Sequence, residues 1–66
     1  MEYRMVWYVE EDGTSGAKDR GKELERIINL SVGLLEARGC RILSIKYQTK
    51  PKYSAFIVHT VDESMF

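Results

Sequence analysis

Only one cysteine, Cys40, and one histidine, His59, occur in the chain. No disulfide can therefore form within it, and no Cys/His cluster is on hand for a structural metal. No run of about 18 apolar residues is present to span a bilayer. The opening residues place Glu2 and Arg4 inside a strand-like pattern, unlike the apolar stretch of a secretory leader, and the location expected is cytoplasmic. Neither sign of charge is in excess, since ten basic residues balance ten acidic ones. A general DNA or RNA backbone binder needs a basic surplus, so that role is not expected and any anion site must be local. Repeats and low-complexity stretches are missing as well.

What is present reads as a single domain over residues 1–66. A chain of that size buries only about 60% of its unfolded surface and is marginal without a supplement. With disulfides and metals excluded, self-association is the supplement expected. Four segments organise the sequence. Tyr3 to Val9 is aromatic and β-branched apart from Arg4 and Met5, which predicts a strand. Glu10 to Gly16 is acidic and glycine-rich, a loop. Between Lys18 and Arg38, apolar residues at Leu24, Ile27, Ile28, Leu34 and Leu35 follow the spacing of an amphipathic helix. Ser15 and Asp19 both offer a capping oxygen at its start, and Gly39 after Arg38 supplies a left-handed stop. Arg41 to Gln48 and Tyr53 to Val61 predict two more strands, with Pro51 in the tight turn between them.

The fold class expected is α+β: one βαββ domain whose three-stranded mixed sheet has the order 1-3-2, with one helix on one face. Strand three takes the centre because Ala55-Phe56-Ile57-Val58 is apolar on both faces. Apolar residues exceed what that arrangement hides. Leu24, Ile27, Ile28, Leu30, Val32, Leu34 and Leu35 spread over roughly 200° of the helix, whereas a core stripe needs little more than about 100°. Alternation along the strands divides Met5, Trp7 and Val9 from Val6 and Tyr8, and Ala55 and Ile57 from Phe56 and Val58. A homo-oligomer built through the helix or an edge strand would cover the remainder.

The stretches Leu24-Glu25-Arg26-Ile27-Ile28-Asn29, Ile42-Leu43-Ser44-Ile45-Lys46-Tyr47 and Tyr53-Ser54-Ala55-Phe56-Ile57-Val58 resemble, in order and spacing, a family of very small sporulation proteins of spore-forming bacteria. The chain is also similar, more loosely, to other short βαββ families. The likeness covers about two thirds of the sequence, from the helix onward. It implies the fold and no catalytic residues. The long loop from Gly13 to Gly21 departs from the family pattern.

Catalytic equipment is sparse. Cys40 and His59 are the only conventional nucleophile and base, both in single copy, so no enzyme activity is expected. Glu10, Glu11 and Asp12 crowd together as a solvated loop would, which predicts no metal site. The glycines at 13, 16 and 21 do not fit a phosphate-loop or dinucleotide fingerprint, and no cofactor is implied. A binding role has more behind it. If Leu43, Ile45 and Tyr47 face the helix, Ser44, Lys46 and Gln48 turn away from it, and Arg4 and Tyr8 share that outer face. Lys50, Lys52 and Tyr53 stand at the adjoining hairpin. Aromatic rings beside lysine and arginine are the groups a nucleotide site needs. Thr14, Ser15 and Lys18 add hydroxyls and charge near the helix start, where anions are favoured.

Two functions follow as expectations. One is a non-enzymatic oligomeric binding module that captures a small phosphate-bearing ligand such as a cyclic nucleotide, in the manner of a phage counter-defence sponge. The other is a sporulation-associated or similar protein-interaction and assembly module with no small-molecule ligand.

Overall fold

The computed structural model describes residues 2–13, 16 and 18–62. Strand β1 (Glu2–Glu11) leads to helix α1 (Arg20–Ala37), then to β2 (Ile42–Gln48) and β3 (Tyr53–Asp62). The sheet order is β1-β3-β2, and both outer strands run antiparallel to β3, so β1 and β2 run the same way. This is the α+β βαββ arrangement in the order expected from the sequence, except that the sheet is antiparallel throughout rather than mixed, because β3 in the centre separates the two parallel strands. Among the described residues no helix is long and apolar enough to cross a membrane.

Three local corrections have clear causes. First, β1 continues through Glu10 and Glu11, which the acidic composition had assigned to a loop, because they pair with Ser54 and Tyr53 of β3. Ladder pairing outweighs the low strand propensity of glutamate. Second, the helix starts at Arg20 rather than Lys18, since Asp19 is the cap: its Oδ1 accepts from the Lys22 amide at 3.1 Å. Ser15, the other capping candidate, lies outside the described residues. Third, β2 carries a bulge between Ile42 and Ser44, so Ile42 opposite His59 joins the core and Leu43, expected there, is exposed. Past the bulge the pairing resumes: the Thr60 amide donates to the Arg41 carbonyl and the Arg41 amide to Thr60 Oγ1, each at 2.9 Å.

The core lies between α1 and one side of the sheet. Leu24, Ile28 and Leu35 from the helix meet Val9, Ala55, Ile57 and Cys40, with Trp7, Ile27, Val32, Ile42, Ile45 and Tyr53 packed around them. Ser31 is buried on the same helix face because its Oγ donates to the Ile27 carbonyl one turn back, at 2.9 Å. On the outer surface of the first turns, the Arg26 guanidinium bonds the Glu23 carboxylate and holds it below the usual carboxylate range. That lowered value makes the pair stabilising above the ordinary glutamate range, and the contribution fades as acid protonates Glu23.

The helix ends in a Schellman motif. The Gly39 amide donates to the Glu36 carbonyl (2.9 Å) and the Cys40 amide to the Leu35 carbonyl (3.0 Å), while Gly39 takes φ +84°. Buried Cys40 and Leu35 supply the apolar contact that accompanies the motif. Two alanine substitutions should therefore act oppositely. At Gly33, mid-helix with open space at its Cβ position, alanine should stabilise by roughly 0.5–1 kcal/mol. At Gly39, where space is equally open but φ is positive, alanine should cost about 1–2 kcal/mol. Urea melts of both variants check the pair; equal effects would mean that backbone conformation is not what selects glycine at 39.

Candidate functional site

The side of the sheet away from α1 has no layer over it among the described elements. Its composition follows from register alone, because opposed residues in an antiparallel ladder share a face. Reading across β1, β3 and β2, Glu10, Ser54 and Gln48 form one row. Tyr8, Phe56 and Lys46 form the next, then Val6, Val58 and Ser44, and Arg4 with Thr60 lies beyond. The face is thus an apolar centre of Val6, Tyr8, Phe56 and Val58, with cations and hydrogen-bonding side chains around it.

Two rings define its middle. Tyr8 and Phe56 sit with centroids 5.0 Å apart and planes tilted by 46°, a favourable offset geometry. Tyr8 remains 48% exposed, which leaves ring surface open to a flat ligand. The Tyr8 hydroxyl donates to Glu10 Oε2 at 2.8 Å, and Lys52 Nζ stands 3.8 Å from Glu10 Oε1. Glu10 therefore fixes the tyrosine ring and anchors the hairpin lysine to the same face. Lys46, directly opposite Phe56, and Arg4, at the far corner, make no ion pair among the described residues. Both keep their charge available to an anion.

The residues nominated from sequence divide accordingly. Arg4, Tyr8, Lys46 and Gln48 do share the open face. Lys52 reaches it through Glu10, while Lys50 is exposed on the hairpin beside Pro51, whose peptide bond is cis. Tyr53 does not belong: it pairs with Glu11 on the helix side and packs against the core. Lys18 is exposed just before the helix cap, in the connection to the helix layer. Thr14 and Ser15 lie outside the described residues. The helix start itself is already met by the Asp19 carboxylate, with Glu23 in the first turn, so an added anion there would face two like charges. Phe56 was missed as a site residue although alternation with Ile57 marks its face; it completes the ring pair.

A second feature lies on the helix side. A cavity of about 360 Å³ is lined by Met5, Val6, Trp7, Leu35, Arg38, Cys40, His59 and Val61. It brings together Cys40 and His59, both buried. His59 Nδ1 lies 3.0 Å from the Thr60 carbonyl oxygen, which can only accept, so Nδ1 carries the proton in that bond. The imidazole is thus oriented by backbone, and among the described residues no carboxylate lines the cavity to hold it as the base of a triad. Among the described residues no group of three or more His, Cys, Asp or Glu side chains is placed to hold a metal ion. No protein-family model, curated protein or solved structure matches this chain, so the meaning of the open face is read from its own geometry.

Proposed function

We propose that the protein is a non-enzymatic, homo-oligomeric binding module that captures a small phosphate-bearing ligand, a nucleotide or cyclic nucleotide, on the open face of its sheet. The observation that carries this reading is the Tyr8–Phe56 ring pair, its tyrosine exposed and its phenylalanine half-buried, with Lys46 as the cross-strand neighbour of Phe56. Every nucleobase has a flat face to stack, and aromatic platforms on open sheets bind bases in this way. Lys46 and Arg4 answer the phosphates, and the Gln48 amide and Ser44 hydroxyl can meet base edges. The balanced overall charge suits a local site better than a long polyanion. In a cell, such a module would act by sequestration, lowering the free concentration of a signalling nucleotide as a phage counter-defence sponge would.

The test is a thermal-shift screen of the full chain against mononucleotides and cyclic dinucleotides. A true ligand at a hundredfold excess over its Kd should raise the melting temperature on the order of 10 °C. Lys46→Glu should leave the unliganded melt in place and abolish most of that rise. If millimolar concentrations of every nucleotide leave the wild-type melt unmoved, the reading is wrong.

One observation favours the alternative, an assembly module of the sporulation type. Leu30 and Leu34 stand one turn apart on the outer helix surface, each 57% exposed, and could dock a partner protein's apolar groove. Capture of a single defined protein that Leu34→Glu releases, together with indifference to nucleotides, would select it.

A further inference from the structure

We infer that β1 is a self-pairing edge: two copies of this chain join their β1 strands antiparallel about a two-fold axis at Trp7, placing Arg4 of each copy opposite Glu10 of the other. The inference rests on the homo-oligomeric part of the proposed function and reassigns Arg4 from phosphate contact to interface contact, which leaves Lys46 as the cation of the ligand face.

Among the described strands both outer ones form an edge of the sheet, but only one is protected. β2 is seven residues long, is broken by the bulge between Ile42 and Ser44, and carries Lys46 along it. Such features are those by which natural edges block pairing with another chain. β1 is longer and unbroken, and its charged residues, Glu2, Arg4, Glu10 and Glu11, lie toward its two ends. Its ten residues run in unbroken register with β3 from Glu2 to Glu11, without proline, glycine, lysine or bulge. It also holds Tyr3, Met5, Val6 and Tyr8, half of the large hydrophobic side chains exposed among the described residues. A long, regular edge with an apolar middle, Met5 to Val9, is a template for a further strand.

Charge then selects both the occupant and the register. Across a two-fold axis, opposed residues must lie on the same face, which leaves a short series of antiparallel registers. Centring on Val6 sets Glu2 against Glu10 at both ends, a like-charge clash. Centring on Met5 sets Arg4 against Val6 and makes no ion pair. Centring on Tyr8 sets Glu10 against Val6 and Glu11 against Met5, and its one opposite-charge pair, Arg4 with Asp12, falls past the end of the strand. Centring on Trp7 sets Arg4 against Glu10 twice, Val6 against Tyr8 twice, Met5 against Val9 twice and Tyr3 against Glu11 twice, and the one like-charge contact, Glu2 with Asp12, falls past the end of the strand. Arg4 has no ion-pair partner within its own chain among the described residues, and Glu10 keeps carboxylate lone pairs beyond those used by Tyr8 and Lys52. The strand is thus complementary to itself in charge and in apolar contact, as a two-fold interface requires. The product is one continuous six-stranded sheet, three strands from each copy. On its open side Tyr8 lies beside Val6 of the partner subunit, so the two Tyr8–Phe56 pairs merge into a single belt.

Sedimentation equilibrium of the full chain, with no ligand present, tests this. The wild type should weigh twice the 7.7 kDa of one chain. Arg4→Glu, which replaces both ion pairs by like-charge contacts, should raise the dissociation constant by at least about tenfold. Adding Glu10→Arg to that variant should restore the dimer to within about threefold of wild type. Circular dichroism melts confirm folding; should Arg4→Glu melt low, Val6→Lys at the 58% exposed neighbour probes the same edge. A wild type that stays a single chain at millimolar concentration would overturn this interface and the homo-oligomeric reading together. An oligomer that ignores Arg4→Glu and Val6→Lys yet falls apart with Leu34→Glu would overturn this interface alone and place the contact on the helix.

Discussion

Ile57→Ala should leave little folded protein at room temperature. Ile57 is the one side chain in the centre of β3 with no solvent exposure at all among the large residues, set between Trp7 and Ile45 in the ladder and under the helix. Removing its three outer carbons loses their transfer free energy and leaves a cavity, together about 2–5 kcal/mol. A chain of this length holds only about 3–10 kcal/mol of net stability. One truncation therefore consumes most of it. Ile57→Val keeps two of those carbons and should cost about 0.5–1.5 kcal/mol, lowering the urea midpoint but preserving a two-state melt. Ile28→Ala and Leu35→Ala, each 2% exposed on the facing helix surface, belong in the same class as Ile57→Ala. The neighbouring Val58→Ala supplies the control, because Val58 is half-buried on the open face and its loss should be the mildest of the set. Circular dichroism melts in urea read all five variants. Equal midpoints for the Ile57 and Val58 alanine variants would mean that the helix does not pack where the ladder places it.

That contrast also shows how far the sequence could be read. Alternation in Ala55-Phe56-Ile57-Val58 is enough to give β3 two apolar faces and hence the central position, because only a strand flanked on both sides needs them. The helix stripe is equally legible, since Leu24, Ile28 and Leu35 recur at helical spacing and all are buried. What escaped was set by pairing rather than by composition. Glu10 and Glu11 look like loop residues until Ser54 and Tyr53 are found opposite them. Leu43 looks like a core residue until the bulge moves Ile42 into that role. A bulge has no signature in a single sequence when no glycine marks it, and one inserted residue reverses the face of everything before it.

The candidate site divided along the same line. Arg4, Tyr8, Lys46 and Gln48 were legible because strict alternation holds over the parts of β1 and β2 where they lie. Tyr53 was misplaced because its position next to the hairpin lysines says nothing about the direction of its ring; its partner Glu11 does. The cavity lined by Trp7, Leu35, Cys40 and His59 was not legible at all. Its walls come from β1, α1, the helix cap and β3, and only the docking of the helix on the sheet makes them converge.

The ring pair carries the second large effect. If a nucleobase stacks on the open face, Tyr8→Val or Phe56→Val should each weaken nucleotide binding by about 1–3 kcal/mol, roughly five- to 150-fold. Valine keeps the strand propensity of both positions, so folding should suffer little beyond the ring–ring contact itself, about 0.5–1.5 kcal/mol. The double variant decides how the rings are used. Rings 5.0 Å apart that form one platform beneath a single base act as a unit, and the double loss should fall short of the sum of the two single losses. Rings that each carry a separate base, as a dinucleotide would demand, should give additive losses for the dinucleotide and a loss confined to one ring for a mononucleotide. Isothermal titration of the four proteins with both ligand types reads the outcome. If neither valine variant changes affinity for a nucleotide that the wild type binds, the base does not rest on Tyr8 and Phe56, and the remaining candidate is the cavity beside Trp7 and Arg38 on the opposite side of the sheet.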